Sequence, residues 1–503
     1  MRCSWKGVVA YLLGAGLAIA PAGAQEVVLR GEGDIRTDAW LESMLDEGGY
    51  RLITTDTLIV EGDTLAGPVL VLGATLRVSG VVLGHLWSVR GNLFLRPGGV
   101  VTGEVRNIAG GFYPSEQAVV RGDLLNDPNA PYRLESSPGT YRIVGTLSPF
   151  RIELPGVMGL RIPTYNRVEG VGLRWGPDIG FPRVGLVKPW LRVWAGWRTG
   201  PGDPIGGAEL ALERARTSVV AGVERDTRTP DAWIRSEPMN SLTFAWSGKD
   251  RRFYYDAERA WLGVERVLER HARTTTARLR VQAEDGATMG AGSPWTLFGD
   301  VQPDSNVVID VARITSLVLE AESSWELPTW AVDLSGLVEV AREELDGEAD
   351  FARWVLHGAV AVPGLANHTL EIEARAQAPF PGTETLPRQR WSFLGDSPVL
   401  YTFELAEFPG DRLAFVKTEY TVPLPGPRLP FFLGTPKLQF LHTVGKAWSA
   451  DVDLGVHQNV GASVRFNWVR LRVVTNPEDM GDTEVSVGVF VPGGGYPWER
   501  EGG

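Results

Sequence analysis

Two hydrophobic rhythms divide the chain. Between Leu58 and Gly111 the sequence repeats at close to 18 residues: Leu58-Ile59-Val60-Glu61-Gly62 returns as Leu76-Arg77-Val78-Ser79-Gly80 and as Phe94-Leu95-Arg96-Pro97-Gly98. Gly73, Gly91 and Gly110 close the units, each behind a short apolar run such as Val69-Leu70-Val71. A period this short cannot hold a helix pair, so it predicts short strands turned by glycines, one coil of a β-solenoid per unit.

The second rhythm is strict alternation in longer segments. Ala277, Leu279, Val281 and Ala283 interleave with Arg278, Arg280, Gln282 and Glu284; Leu370, Ile372, Ala374 and Ala376 interleave with Glu371, Glu373, Arg375 and Gln377. The same holds for Val332 to Val340, with Asp333, Ser335 and Glu339 as polar partners, and for Leu191 to Trp197, with Arg192, Trp194 and Arg198. Period two means strands with one apolar and one polar face. Many of these segments reach ten residues, beyond the roughly 5–6 usual in soluble sheets. About 14–16 of them fit after residue 131, at the spacing of a hairpin barrel. Tyr165, Trp175, Trp190, Trp325, Trp330, Tyr420 and Trp468 stand near segment ends, where an interfacial aromatic girdle would lie. In hydrocarbon only a closed barrel satisfies the strand edges, so the expected fold is all-β: a short N-terminal β-solenoid followed by an antiparallel transmembrane β-barrel.

The first residues bear on the compartment. Arg2 and Lys6 precede an apolar stretch from Gly7 to Ala20, and Ala22-Gly23-Ala24 follows, as in a secretory signal cut after Ala24. Expected organisation is therefore a signal peptide over 1–24, a periplasmic solenoid region over 25–130 and an outer-membrane barrel over 131–503. The stretch from Asp123 to Ser137, rich in Asn, Asp and Pro, reads as the linker between them.

Composition narrows the partners. The chain has 49 Lys plus Arg against 61 Asp plus Glu, a net charge of -12; losing Arg2 and Lys6 with the signal makes it -14. That balance argues against nucleic acid as a partner. Cys3, the one cysteine, lies in the signal, so no disulfide or thiolate metal site is expected in the mature protein.

Two resemblances extend the pattern. The glycine-punctuated coils of about 55 residues resemble bactofilins, bacterial scaffold proteins with small β-helical cores, which implies a structural or interaction module. Ile162-Pro163-Thr164-Tyr165-Asn166-Arg167-Val168-Glu169-Gly170-Val171-Gly172-Leu173 resembles the opening strand of barrels in the bacterial surface antigen (BamA-like) superfamily. Leu386 to Gly395, Phe408 to Phe415, Glu419-Tyr420, Pro423-Leu424, Leu438-Gln439 and Gly461 to Val473 are similar to its late-barrel region. The resemblance, over roughly residues 160–492, implies an outer-membrane barrel. Members that insert or secrete proteins carry an Arg-Gly-aromatic tip on a loop folded into the lumen; here the corresponding stretch reads Ser397-Pro398-Val399-Leu400-Tyr401-Thr402.

Candidate chemistry is sparse. His85, His271, His357, His368, His442 and His457 show no metal-ligand spacing. No nucleophile elbow accompanies His357 or His457, the two histidines that a membrane-embedded hydrolase would use. Gly170-Val171-Gly172 and Gly290-Ala291-Gly292 do not lie between a strand and a helix, so they read as strand or hairpin glycines. The acidic run Glu343, Glu344, Asp346, Glu348, Asp350 lacks the spacing of a calcium loop and reads as a solvated hairpin. The expectation is a non-enzymatic barrel with no catalytic, cofactor or metal residues, lined in its lumen by Arg278, Arg280, Glu371, Glu373 and Arg375. Its expected partners are outer-membrane lipid and, through the solenoid, the cell wall or a periplasmic protein. A porin-like channel is the alternative.

Overall fold

The computed structural model describes residues 26–489 apart from 231, 271–272, 293, 300, 302–305, 307, 328–329, 366, 384, 425–434 and 467–468. The expected signal peptide over 1–24, His271 and Trp468 lie outside the described residues. The chain divides into two units, Met1–Leu147 and Ser148–Gly503.

The first unit is a three-sided parallel solenoid. Strands Arg51–Ile53, Val69–Leu72, Leu86–Val89, Val105–Ile108 and Leu124–Asp127 stack in one sheet, and two further sheets of four strands each make the other sides. Val69, Val71, Leu76, Val78, Val82, Leu86, Leu93, Leu95, Val101 and Val105 fill the interior and are almost wholly buried. The repeat glycines are needed where coils touch: a Cβ on Gly110 would sit 1.9 Å from the Gly91 carbonyl oxygen.

One side of the solenoid is apolar on its outer face too, which is why Val69–Leu72 and Leu86–Val89 are buried at every position. Helix Ile35–Glu47 covers it, setting Leu41 and Met44 against Leu70, Leu72, Trp87 and Ile108. Asp34 caps this helix, its Oδ1 accepting from the backbone N–H groups of Arg36 and Thr37.

The expected linker does not exist as one. Leu124–Asp127 is a last solenoid strand, and Tyr132–Ser137 pairs antiparallel with Thr140–Thr146, which pairs parallel with Glu26–Glu32. Tyr132 and Ile143 pack into the cluster beneath the helix. The unit boundary accordingly falls at Leu147 and not near residue 130: turn-forming composition marked the ends of strands here, not a loop.

Among the described residues the second unit forms one antiparallel sheet of eighteen segments, with a separate pairing of Ser392–Leu394 and Phe408–Gly410 in the connection at 380–411. Two pairs of short segments share strand positions. Arg151–Glu153 and Thr164–Asn166 run end to end beside Asp178–Gly180 and Gly170–Trp175, and both of these pair with Lys188–Arg198. The eighteen segments thus occupy sixteen positions, the upper end of the expected range. Connections alternate in length from the fourth to the twelfth strand position; 424–436, on the short-turn side, and 477–478, on the other, do not keep that rhythm. Those at 229–254, 289–312 and 380–411 are long, whereas 215–216, 271–272, 327–330 and 364–368 are short, the asymmetry of an outer-membrane barrel with long outer loops and short periplasmic turns.

The sheet curls so that both its ends meet the same inner loops. Helix Glu237–Ser247, in the 229–254 connection, packs on the first position: Ser241 Oγ accepts from Tyr165 N at 2.9 Å, and Asp250 accepts from Arg167 N at 3.0 Å. Its neighbour Arg251 pairs with Asp396 of the 380–411 connection at 2.9 Å. The tip of that connection rests on the thirteenth to fifteenth strands, through Tyr401 on Leu441 and Val474 and through Thr402 Oγ1, which accepts from Asn459 Nδ2 at 2.8 Å.

Candidate functional site: a charged, loop-filled barrel interior

Alternation sorts the wall into two chemistries. Register places Leu191, Leu210, Ala221, Leu262, Val281, Leu317 and Val340 in one row across seven strands. Of these, Leu262 is 60% exposed and Val281 51%. The opposite face carries Gln282, Glu284, Ser316, Glu339, Gln377, Gln439 and Ser463, all buried. Exposed aliphatics around buried carboxylates invert the arrangement of a protein folded in water. Such a face is stable only where the surroundings are hydrocarbon, and the polar face only where every charge is answered.

The answers come both from neighbouring strands and from the loops. Arg390, 6% exposed on the 380–411 connection, is the hub. Its Nη1 donates to Glu284 Oε1 at 2.8 Å and its Nε to Glu339 Oε2 at 3.0 Å. Arg353 Nε completes the group, 2.7 Å from Glu339, and Gln377 Nε2 donates to the Arg390 carbonyl at 2.7 Å. Burial alone would weaken the proton affinity of the Arg390 guanidinium; Glu284 and Glu339 outweigh that and hold its pKa well above the ordinary value. Ile234, Leu394, Val399, Leu400, Phe408, Leu413, Phe415 and Ala447 form an apolar nucleus within this polar interior. The loop is therefore fastened by packing as well as by charge.

The five residues expected to line the lumen all lie on the polar face. Arg278 Nε bonds Glu265 at 2.7 Å and its Nη1 reaches Glu322 at 3.1 Å; Arg280 bonds Glu320 at 2.8 Å. Glu373 lies between His357 at 3.3 Å and Lys417 at 3.8 Å. The Arg375 guanidinium sits 4.9 Å from the centre of the Trp233 ring. Glu371 stands opposite Glu419 on the neighbouring strand.

The residues that fasten the interior, Arg390, Arg251, Asp396 and Arg472, are ones that alternation did not single out. Glu284 and Glu339 do occupy polar positions of legible strands, but nothing local shows that they meet a loop arginine. At the tip of the 380–411 connection Tyr401 meets the wall at Arg472, whose Nη1 donates to its hydroxyl.

The girdle is partly corrected. Trp325 and Trp330 mark the short-turn end, with Arg273 stacked 4.6 Å from the Trp325 ring. Tyr420 hydrogen-bonds His368 there at 2.7 Å. Trp190, by contrast, lies on the polar face in the same parity as Arg192, with Arg151 over its ring at 4.9 Å. Tyr165 serves loop packing against Phe244. Trp175 donates from Nε1 to the Met158 carbonyl.

Among the described residues no group of three or more His, Asp or Glu side chains is arranged to hold a metal ion. His457 stacks on Phe408 at 3.8 Å, and its Nε2 lies 3.0 Å from the Leu454 carbonyl oxygen. In the acidic hairpin Asp346 pairs with Arg313 at 3.2 Å, and Asp350 with Arg342.

The class these features define is a transmembrane β-barrel whose interior is occupied by its own loops. No family model matches the sequence, and no curated protein matches it. Solved structures with similar architecture include CdiB from Escherichia coli, at 16% identity and TM-score 0.39, covering 72% of this chain and 67% of that one. CdiB from Acinetobacter baumannii, at 11% identity and TM-score 0.36, covers 71% of this chain and 65% of its own. A BamA from Haemophilus ducreyi lacking POTRA domains 1–3, at 9% identity and TM-score 0.42, covers 71% and 75%. The chain thus spans about two thirds of the length of either CdiB. Likeness at this level is one of general architecture.

Proposed function

We propose that this chain is a non-enzymatic outer-membrane barrel of the surface antigen (BamA-like) type, closed at rest by its own 229–254 and 380–411 loops and carrying a bactofilin-like β-solenoid as a contact module. The observation that supports this most is the fastening of Arg390 on Glu284 and Glu339 inside a barrel whose outer face is aliphatic. A wide pore would leave such charges to water; here they are spent on holding a loop across the lumen. The signal peptide would deliver the protein to the periplasm, and the solenoid would face the cell wall or a periplasmic partner there.

Planar-bilayer recording tests the closed state. The full-length protein is expected to show little conductance, and the double variant Arg251→Gln, Arg390→Gln to open frequently. A large steady conductance in the unaltered protein would reject the closed barrel in favour of a porin-like channel.

A further inference from the structure

We propose that the short-turn edge of the barrel's outward face binds the headgroup phosphate of an anionic phospholipid through Arg214, Arg216 and Arg266. The inference rests on the transmembrane reading of the barrel. Arg214 and Arg266 share the parity of Leu210, Leu212, Leu262 and Val264, and the register joins them in one row through Thr217, across the fourth, fifth and sixth strand positions. Arg216 stands in the two-residue turn between Arg214 and Thr217, its carbonyl accepting from Val267 N at 2.9 Å. All three arginines are exposed.

The strand Tyr255–Arg270 gives the depth of this row. Its outward positions read Glu258, Ala260, Leu262, Val264 and Arg266, three apolar residues between two charges. From Glu258 to Arg266 is about 27 Å along the strand and, at the usual tilt, about 20 Å of depth, close to the apolar band of an outer-membrane barrel. Charges therefore mark both edges of the band, and the two edges differ. On the long-loop edge the outward row is Arg225, Glu258, Asp285 and Arg313. Its charges answer one another: Arg225 lies 3.6 Å from Glu258, and Arg313 lies 2.9 Å from Asp285. On the short-turn edge none of Arg214, Arg216 and Arg266 has an ion pair or a side-chain hydrogen bond among the described residues. The carboxylates of the same strand ends, Glu213, Glu265 and Glu269, have the opposite parity and face the lumen, where Glu265 accepts from Arg278 Nε at 2.7 Å.

A guanidinium at the boundary of hydrocarbon lays its aliphatic stem along the apolar wall and turns its head toward the lipid headgroups. There it takes phosphate oxygens in paired hydrogen bonds. One row toward the long-loop end, Leu212, Val219 and Val264 stand side by side and are all exposed, a surface for the acyl chain of the same molecule. Cations at the rim with an aliphatic row directly above them fit a glycerophospholipid; a free phosphate would have no use for the aliphatic row. In a chain of net charge -12, an edge that carries only cations is a local exception, and the phosphates of an anionic leaflet answer it. The site does not involve the 229–254 or 380–411 loops, so it is independent of the closed-lumen reading.

The test is lipid retention by the full-length protein, folded into vesicles of equal phosphatidylglycerol and phosphatidylcholine, extracted in mild non-ionic detergent and weighed by native mass spectrometry. Phosphatidylglycerol is expected to be retained about tenfold over phosphatidylcholine. The triple variant Arg214→Gln, Arg216→Gln, Arg266→Gln should abolish that preference, and Arg266→Gln alone should lower it severalfold. The charge-matched triple Arg30→Gln, Arg133→Gln, Arg142→Gln, at exposed positions of the first unit, should keep it. Equal retention of the two lipids by the unaltered protein, or an undiminished preference in either variant of the rim, would overturn the site while the inserted barrel stands. Failure of the unaltered protein to insert into the vesicles would overturn the transmembrane reading, and the site with it.

Discussion

The solenoid and the barrel use the same element in opposite senses. Both are strands of period two. In the solenoid Leu76, Val78 and Leu93 point inward and are fully buried; in the barrel Leu262, Val281 and Leu334 point outward and Glu284 and Glu339 point inward. Alternation records that a strand has two faces, and the remainder of the chain decides which one meets solvent. In the solenoid the choice is set by the coil period, which leaves room inside only for aliphatic side chains. In the barrel it is set by strand length and by hairpin spacing, which demand a wide closed sheet whose interior can be wet.

One substitution placed in both regions separates them. Leu76→Arg buries a charge in the solenoid and should cost about 5 kcal/mol, the extreme for a single change; loss of the first unit's cooperative unfolding transition would register it. Glu339→Leu removes the carboxylate facing Arg353 and Arg390 and should cost about 3–5 kcal/mol, read from the denaturation midpoint in detergent. The same change would be harmless in an interior of the solenoid kind. Leu262→Arg should cost about 2–4 kcal/mol in a bilayer and almost nothing if that face met water, a difference that folding into vesicles measures.

Smaller changes sharpen the picture at the surfaces. Asp34→Ala removes the cap of the covering helix at a cost of about 1 kcal/mol, with faster amide exchange over residues 35–38. At the other end of the chain the Lys446 ammonium, helped by the Gly455 N–H, holds the exposed Asp453 carboxyl below its ordinary pKa. A depressed carboxyl contributes above its unfolded pKa and loses that contribution as pH falls through the folded value. The 449–456 loop should therefore exchange its amides faster only on acidification, with the global midpoint unmoved. Lys446→Gln should remove that pH dependence.

What could be read in advance follows from what is local. The coil period, the alternating strands and their number depend on residues a few positions apart, and they are present in the fold. Helix Ile35–Glu47 was equally local, with Asp34 ahead of Trp40, Leu41 and Met44, but a single helix against a repeating background is a weak signal. The hairpin Tyr132–Thr146 was hidden because its turn residues resemble a linker. The interior fastening was not legible at all: Arg390 meets Glu284 across 106 positions and Glu339 across 51. Such pairings depend on how the sheet curls, which period two does not specify.

An aliphatic face turned to lipid around an enclosed charged face can be measured directly. In a background carrying Cys3→Ser, single nitroxide labels at Leu262→Cys, Val281→Cys and Leu317→Cys on the apolar row, and at Arg280→Cys on the polar face, can be compared in bilayers for collision with oxygen and with a water-soluble nickel chelate. Labels on the row should collide strongly with oxygen and scarcely with nickel, and the label at 280 should show neither preference for oxygen nor lipid-like mobility. Strong nickel collision at 262, 281 and 317 would mean that the apolar row faces water, and the transmembrane barrel would be wrong.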